Sequence, residues 1–302
     1  MDTLSHIVDD IRLTGAVFLR SELAAPWALR LHTPGLASFH IVVQGSAWLV
    51  RVDAEPLKLD AGDLVILPGG ADHLLRDTLD GAADAHDLLP ELDQLRSETL
   101  KLGRNGEITR TLSGHFRFDV EMARPLVDAL PPLIAIQTRG ALPPAWLRLG
   151  IQFIADEFST RRLAQQAVTN RIADILLIEV LRHHLESLPE GSGNWLAALR
   201  DKGLSAALAA MHAEPGRGWT VPELAEIAHL SRSAFADRFG QVMGQPPLAY
   251  LTDHRMRLAA WKLAHSRLSI AQIAEQVGYG SETAFSQAFK RHHGEPPSKR
   301  RG

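Results

Sequence analysis

Two sets of side chains, about fifty residues apart, have the composition needed to read the edges of base pairs. The first holds Arg232, Ser233, Ala236, Asp237, Arg238 and Gln241. The second holds Ser281, Glu282, Thr283, Ser286, Gln287, Lys290 and Arg291. Glutamine makes paired hydrogen bonds to adenine and arginine to guanine; glutamate accepts from cytosine, and threonine meets the thymine methyl. Arg238, Lys290 and Arg291, with Lys299, Arg300 and Arg301 beyond them, suit phosphates. Taken singly, each of these residues reads as solvated surface. Their phasing in both copies carries the reading. A different chemistry is open to His40 and His73, since imidazole binds metals, hydrogen-bonds in cores and lines ligand pockets. The chain has no cysteine, so disulfides, thiolate zinc sites and cysteine nucleophiles are excluded.

The elements that must position the polar sets are duplicated. Thr220-Val-Pro-Glu-Leu-Ala225 is echoed by Ser269-Ile-Ala-Gln-Ile-Ala274, an offset of 49. Past the turn the offset is 50, through Ser231/Ser281, Phe235/Phe285, Phe239/Phe289, Gly244/Gly294 and Pro247/Pro297, with Gly280 the extra residue. Each copy predicts a capped helix, a turn and a second helix. Thr220 with Glu223, and Ser269 with Gln272, form capping boxes. Ser231 and Ser281 cap the second helices. The phenylalanines, four apart on one face, belong to the core and leave the polar face outward. An amphipathic helix over Leu248–His265 joins the copies, with Tyr250, Leu251, Met256, Leu258, Ala259 and Leu263 inward. At ~1.5 Å per residue it spans nearly one turn of duplex. Two such helix-turn-helix units, so spaced, can enter successive major grooves.

His40 and His73 fall in a different kind of sequence. From about residue 7 to 119, short apolar runs such as Ile41-Val-Val43, Trp48-Leu-Val-Arg-Val52 and Leu64-Val-Ile-Leu67 alternate with turn signals such as Pro68-Gly-Gly70 and Asp80-Gly81. This predicts an all-β sandwich or barrel. From Pro125 the period becomes helical. Trp146, Leu149, Phe153, Ile154 and Phe158 mark one helix. Val168, Ile172, Ile175, Leu176, Leu177, Val180, Leu181 and Leu185 mark a second, apolar on more than one face. Such a helix must be covered on several sides, by the barrel and its neighbour helix or by a second subunit, and a homodimer is the preferred expectation. Leu188-Pro-Glu-Gly-Ser-Gly-Asn194 reads as a linker. The expected parts are 1–124, a sensing domain; 125–193, a helical linker or dimerisation segment; and 194–302, the DNA-binding domain. Residues 195–302 hold 14 Lys and Arg against 9 Asp and Glu, net +5; residues 1–194 hold 18 against 26, net −8. A basic end on an acidic body suits phosphate at one end only. The acidic N-terminus lacks a signal-peptide pattern and no apolar run reaches membrane-spanning length, so no membrane partner and a cytoplasmic location are expected.

Residues 195–300 resemble the AraC family of bacterial transcription regulators. The resemblance includes Trp219-Thr-Val, Ser231-Arg-Ser-Ala-Phe235, Arg238-Phe239, Tyr250-Leu251, Arg255-Met256, Val277-Gly278-Tyr279, Ser281-Glu282, Ala284-Phe285 and Phe289-Lys290-Arg291. One departure is His229, where the family commonly has glycine in the first turn, at a backbone cost. Upstream, Gly62-x5-Pro68-x-Gly70-x2-His73-x3-Asp77 resembles the second cupin motif. The first motif is degraded: Ser38 stands at its metal-binding glutamate and His32 at best remains of its histidine pair. His40 lies two residues on, on the same strand face. The run Phe39–Leu49 and Thr109–Phe118 resembles the cupin sensors of one AraC subgroup, where many relatives carry cysteine at Ser113.

The resemblance implies a regulator with a cupin-like barrel, a helical segment and an all-α double helix-turn-helix. Its partners would be double-stranded DNA, a small-molecule effector, a second copy and, for an activator, RNA polymerase. Three roles remain open for the barrel histidines: a divalent metal site, hydrogen-bonded core residues, or an effector pocket of His40, Trp48 and His73, which is preferred. No catalytic residue and no obligatory cofactor is expected. The alternative is a cupin metalloenzyme fused to a DNA-binding module, against which the missing glutamate argues. A DNA-repair methyl acceptor is excluded by the lack of cysteine.

Overall fold

The computed structural model describes all residues except 1, 33–34, 81–83, 89–98, 104, 139–141, 160–162, 189–194 and 302. Helix α1 (Thr3–Asp10) precedes ten strands: β1 (Ala16–Ala24), β2 (Ala28–Leu31), β3 (Ser38–Gln44), β4 (Ser46–Arg51), β5 (Leu57–Asp60), β6 (Leu64–Leu67), β7 (His73–Arg76), β8 (Ala85–Asp87), β9 (Thr99–Leu102) and β10 (Ile108–Phe116). There follow α2 (Val120–Ala129), β11 (Ile134–Ile136), α3 (Ala145–Ser159) and α4 (Gln165–Ser187). The C-terminal helices are α5 (Lys202–Ala213), α6 (Val221–Ile227), α7 (Arg232–Met243), α8 (Pro247–His265), α9 (Ile270–Gln276) and α10 (Glu282–His293). The expected linker lies, but for Leu188, outside the described residues, as does Gly81 of an expected turn.

The compact units are drawn differently from the three expected stretches. Residues 13–118 and 130–184 form one, and residues 1–12, 119–129 and 185–302 the other. Two short pieces thus fold with the DNA-reading helices: 1–12, expected in the sensing domain, and 119–129, which spans its expected boundary with the helical segment. Met122 of α2 joins the core around Met256, Ile273, Phe285 and Phe289, and Thr3 of α1 donates to the Ser205 carbonyl over 2.7 Å. Apolar spacing within α1 and α2 shows that each buries a face; it does not show against what. The chain therefore crosses between the units four times.

In the first unit the strands form two sheets, ordered β11-β6-β3-β10-β1-β9 and β5-β4-β7-β2-β8. Alternation decides the core. Leu19 and Leu23 of β1, Leu29 and Leu31 of β2, Val42 of β3, Ala47 and Leu49 of β4, and Leu75 of β7 fill the interior. In the same unit α3 and α4 pack together, Gly150 of α3 lying so close to Leu176 that a Cβ would come within 2.8 Å of it. Along α4, Ile172, Leu176, Leu177, Val180 and Leu181 are buried. Leu149 (51% exposed) and Phe153 (58%) of α3 and Ile175 (56%) of α4 are not. The sequence period alone made these three indistinguishable from core residues. The side chain of Phe158 lies outside the described residues.

Candidate nucleic-acid interface and barrel pocket

The duplicated signals fold as paired capped helices. Thr220 caps α6 in a capping box with Glu223, and Ser269 caps α9 with Gln272. Ser231 accepts from the Ala234 amide at the start of α7, and Ser281 from the Ala284 amide at the start of α10. Both second helices end on a left-handed glycine, Gly244 and Gly294. Phe235, Phe239, Phe285 and Phe289 are fully buried. Each ring pair stacks in a tilted arrangement, with centroids 5.5 and 5.6 Å apart. Aromatic packing thus anchors each second helix by one face and fixes which face meets solvent.

That outer face carries the residues expected there. Arg232, Ser233, Asp237, Arg238 and Gln241 of α7 are exposed, and so are Ser281, Glu282, Thr283, Gln287, Lys290 and Arg291 of the second copy. Ala236 and Ser286, at corresponding positions, are half-buried. Between the copies, α8 runs 19 residues without interruption, about 28 Å at 1.5 Å per residue. Tyr250, Leu251, Met256, Leu258, Ala259 and Leu263 are buried along it. In the first turn His229 adopts φ +56°, and Gly278 adopts φ +83° in the second. Both turns need a left-handed residue, and only one copy supplies glycine.

Not every cation keeps its expected freedom. The Arg238 guanidinium lies 2.5 Å from the Asp201 carboxylate, which also caps α5 by accepting from the Gly203 and Leu204 amides. Arg300 pairs with Glu121 at 2.6 Å and with Glu295 at 3.1 Å. Arg301 donates to the Leu268 carbonyl. These three hold the unit together, whereas Arg232, Lys290 and Arg291 have no ion pair among the described residues. Asp201 lies 37 residues from Arg238 and Glu121 lies 179 from Arg300, beyond any spacing rule.

In the barrel, His40 and His73 meet. Their Nε2 atoms are 2.7 Å apart. His73 Nδ1 lies 2.7 Å from the Ala71 carbonyl, which can only accept, so His73 carries its proton on Nδ1. Its Nε2 then accepts from His40 Nε2–H, and His40 Nδ1 accepts from Ser113 Oγ at 2.8 Å. One proton order satisfies the whole chain. Burial, the largest cause for both, lowers the two imidazole pKa values; His40 falls well below 6.5, where the neighbouring His73 adds to the effect. Two nitrogens sharing one metal at ~2.0–2.1 Å in tetrahedral geometry would stand ~3.3 Å apart. These are closer, and their outer nitrogens are taken by a backbone carbonyl and a serine hydroxyl, both poor metal donors. The hydrogen-bonded reading accounts for every nitrogen. Trp48 does not join them. It alternates with Ala47 and Leu49, which fill the interior, and sits opposite Lys58 and Arg76 on the outer side of its sheet. His32 is exposed and bonded to Asp72.

Space for a ligand lies elsewhere in the same unit. A cavity of about 230 Å³ is lined by Arg20 and Glu22 of β1, Val43 of β3, Arg110 and Leu112 of β10, and Ile151 and Ile154 of α3. Register pairs Arg20 with Leu112 and Glu22 with Arg110, so these residues share the sheet face opposite to the histidines. It was not legible in the sequence, because its walls come from strands and a helix spread over more than 130 residues.

Residues 2–186 match the family described as Cupin, and residues 224–302 the family described as Helix-turn-helix domain. The HTH-type transcriptional regulator AlkR of Acinetobacter baylyi is 37% identical over 302 residues, covering 98% of each chain. A putative AraC-like transcription regulator of Streptomyces lividans is 34% identical, covering 98% of this chain and 97% of its own length. A third, from Streptomyces antibioticus, is 32% identical over the same shares. The chain belongs to the AraC family of transcription regulators. Its helix-turn-helix pair is accordingly the DNA-binding domain, behind a cupin-like N-terminal region, and its full-length relatives are regulators. Among the described residues no helix is long and apolar enough to cross a membrane.

Proposed function

We propose that this AraC-family regulator reads a two-part operator through α7 and α10, as a cytoplasmic homodimer whose DNA binding responds to a small molecule held in the cupin-like unit. The observation that carries the reading is the symmetry of the two capped helices, each with a buried aromatic face and an exposed polar one, joined by an unbroken connector. In α10, Glu282, Thr283, Ser286 and Gln287 address bases while Lys290 and Arg291 address phosphate. In α7, Arg232, Ser233, Ala236, Asp237 and Gln241 address bases, and Arg238 serves first as an internal tie. Exposed Leu149 and Phe153, four apart on α3, and exposed Ile175 on α4 support dimerisation through these helices, since exposed apolar surface marks association. If the protein activates, RNA polymerase is the further partner.

For the effector, the cavity lined by Arg20, Arg110, Leu112 and Ile154 is a better seat than the histidine pair, which leaves no space between its rings. Its chemistry suits a mainly apolar molecule with one anionic or polar end. Occupancy would alter the packing of α3 on the sheet. The chain passes four times between the units, and these connections are the route by which occupancy of one would bias the other. The test is operator affinity of the full chain by fluorescence anisotropy, with and without fractionated metabolite extract. An active fraction shifts affinity in the wild type and loses its effect in Val43→Trp, which fills the cavity. A response unchanged by Val43→Trp, or no response to any fraction, contradicts the assignment.

A further inference from the structure

The DNA-reading unit contains a second histidine cluster that neither the base-reading face nor the family resemblance explains. Asp10, the last residue of α1, His212 of α5 and His254 of α8 present one ligand atom each, all within 4.8 Å of one another. Asp10 Oδ2 is hydrogen-bonded to His212 Nδ1 and lies 3.8 Å from His254 Nε2. His254 is only 2% exposed, and its Nε2 has no hydrogen-bond partner. Leaving such an atom unsatisfied in a core is costly. Beside the three residues is a cavity of about 20 Å³, enough for one water. On the far side of His212, Nε2 is 2.7 Å from the Tyr250 hydroxyl.

We infer that Asp10, His212 and His254, with one water, form a divalent metal site of the type that takes zinc. Two imidazoles, a carboxylate and a water complete a tetrahedron, and ligand spacings of ~3.3 Å require the separations seen, all within 4.8 Å, to change by no more than about 1.5 Å. His212 would bind through Nδ1 and donate its Nε2–H to Tyr250, as metal-bound histidines do to an outer partner. Arg257 also lines the cavity, and Tyr250, Asp253, Glu121 and Asp10 together favour its charged form, so Asp10 is not its sole counter-charge. The contrast with the barrel is chemical: there each imidazole nitrogen is satisfied by a neighbour, whereas here one buried nitrogen is left over beside a carboxylate. A metal at this point ties the N-terminal helix to α8, the helix that spaces the two recognition helices.

The experiment uses the full-length chain, stripped with a chelator and titrated with ZnCl2. Bound zinc is quantified after desalting, thermal unfolding is followed in parallel, and Co2+ is titrated separately for the visible absorption of a tetrahedral site. The wild type binds one zinc per chain and its melting temperature rises. Asp10→Asn weakens binding by at least tenfold, His254→Gln abolishes it, and Tyr250→Phe lowers affinity roughly 10–100-fold, the effect of losing an outer partner. His73→Gln retains full stoichiometry. Asp10 is half-buried rather than buried and Asn keeps its shape, so Asp10→Asn reports even if the core substitution at His254 prevents folding. Failure of the wild type to retain zinc overturns the inference. So does binding that survives both Asp10→Asn and His254→Gln, or binding that His73→Gln removes.

Discussion

Replacing Gly278 with alanine tests what the second helix-turn-helix demands of its backbone. Gly278 sits at φ +83°, and a Cβ there would stand 2.5 Å from the Gly216 carbonyl oxygen and 2.9 Å from an Arg255 guanidinium nitrogen. Arg255 is itself held, donating to the Pro215 carbonyl over 2.6 Å and the Arg217 carbonyl over 2.7 Å, so neither neighbour yields easily. A left-handed non-glycine residue costs roughly 1–2 kcal/mol, and overpacking adds about 1–3. The alanine recovers only ~0.4–1 by restricting the unfolded chain. The expected loss is therefore about 2–4 kcal/mol. The first turn provides the control. His229 occupies the same conformation at φ +56°, is exposed, and already bears the backbone cost. His229→Ala should be near neutral, and His229→Gly should stabilise by ~0.5–1 kcal/mol, the difference between the two backbone terms. Amide hydrogen exchange in the full chain reads the copies separately, α6 and α7 for one and α9 and α10 for the other. Equal effects of alanine in both turns, or none at Gly278, would refute the reasoning.

Gln287→Ala should relax preference at one base position by ~1–3 kcal/mol while leaving the others intact, measured by anisotropy on single-base operator variants. Lys290→Ala should weaken all DNA alike and reduce the slope of log K against log salt by ~0.9, one phosphate's share. His40 and His73 have folded pKa values lowered from 6.5, so the unfolded chain binds more protons below that pH. Their contribution is complete above pH 6.5 and is lost as pH falls, by up to ~1.4 kcal/mol per unit per histidine. Urea unfolding of the barrel unit between pH 5 and 7 checks this, and the double variant His40→Gln/His73→Gln should flatten the profile. Phe153→Glu on the exposed face of α3 should shift the sedimentation of a dimer to that of a monomer.

What was legible in the sequence was what repeats locally. Thr220 with Glu223 and Ser269 with Gln272 announce helix starts within four residues, and both capping boxes form. Phenylalanines four apart define a buried face and, by exclusion, the outward one. The spacing of His40 and His73 onto interior strand faces was legible too. Trp48 was misplaced because the reading followed ring chemistry rather than alternation with Ala47 and Leu49. The grouping of α1 and α2 with the DNA-reading helices was illegible for a different reason. An apolar stripe specifies that a helix is covered, while its partner here lies more than 100 residues away. The ties of Arg238 to Asp201 and of Arg300 to Glu121, and the meeting of Asp10 with His212 and His254, were illegible for a like reason, since these partners lie 37 or more residues apart.

Selection of bound duplexes from a random pool by the full-length chain tests the central claim most directly. Two short blocks of preferred bases, centred about 10 base pairs apart, one turn of duplex, are expected, with Gln287→Ala erasing preference in one block and Gln241→Ala in the other. A single block, blocks at any spacing off the helical repeat, or no enrichment would contradict a pair of recognition helices held at one turn of DNA by α8.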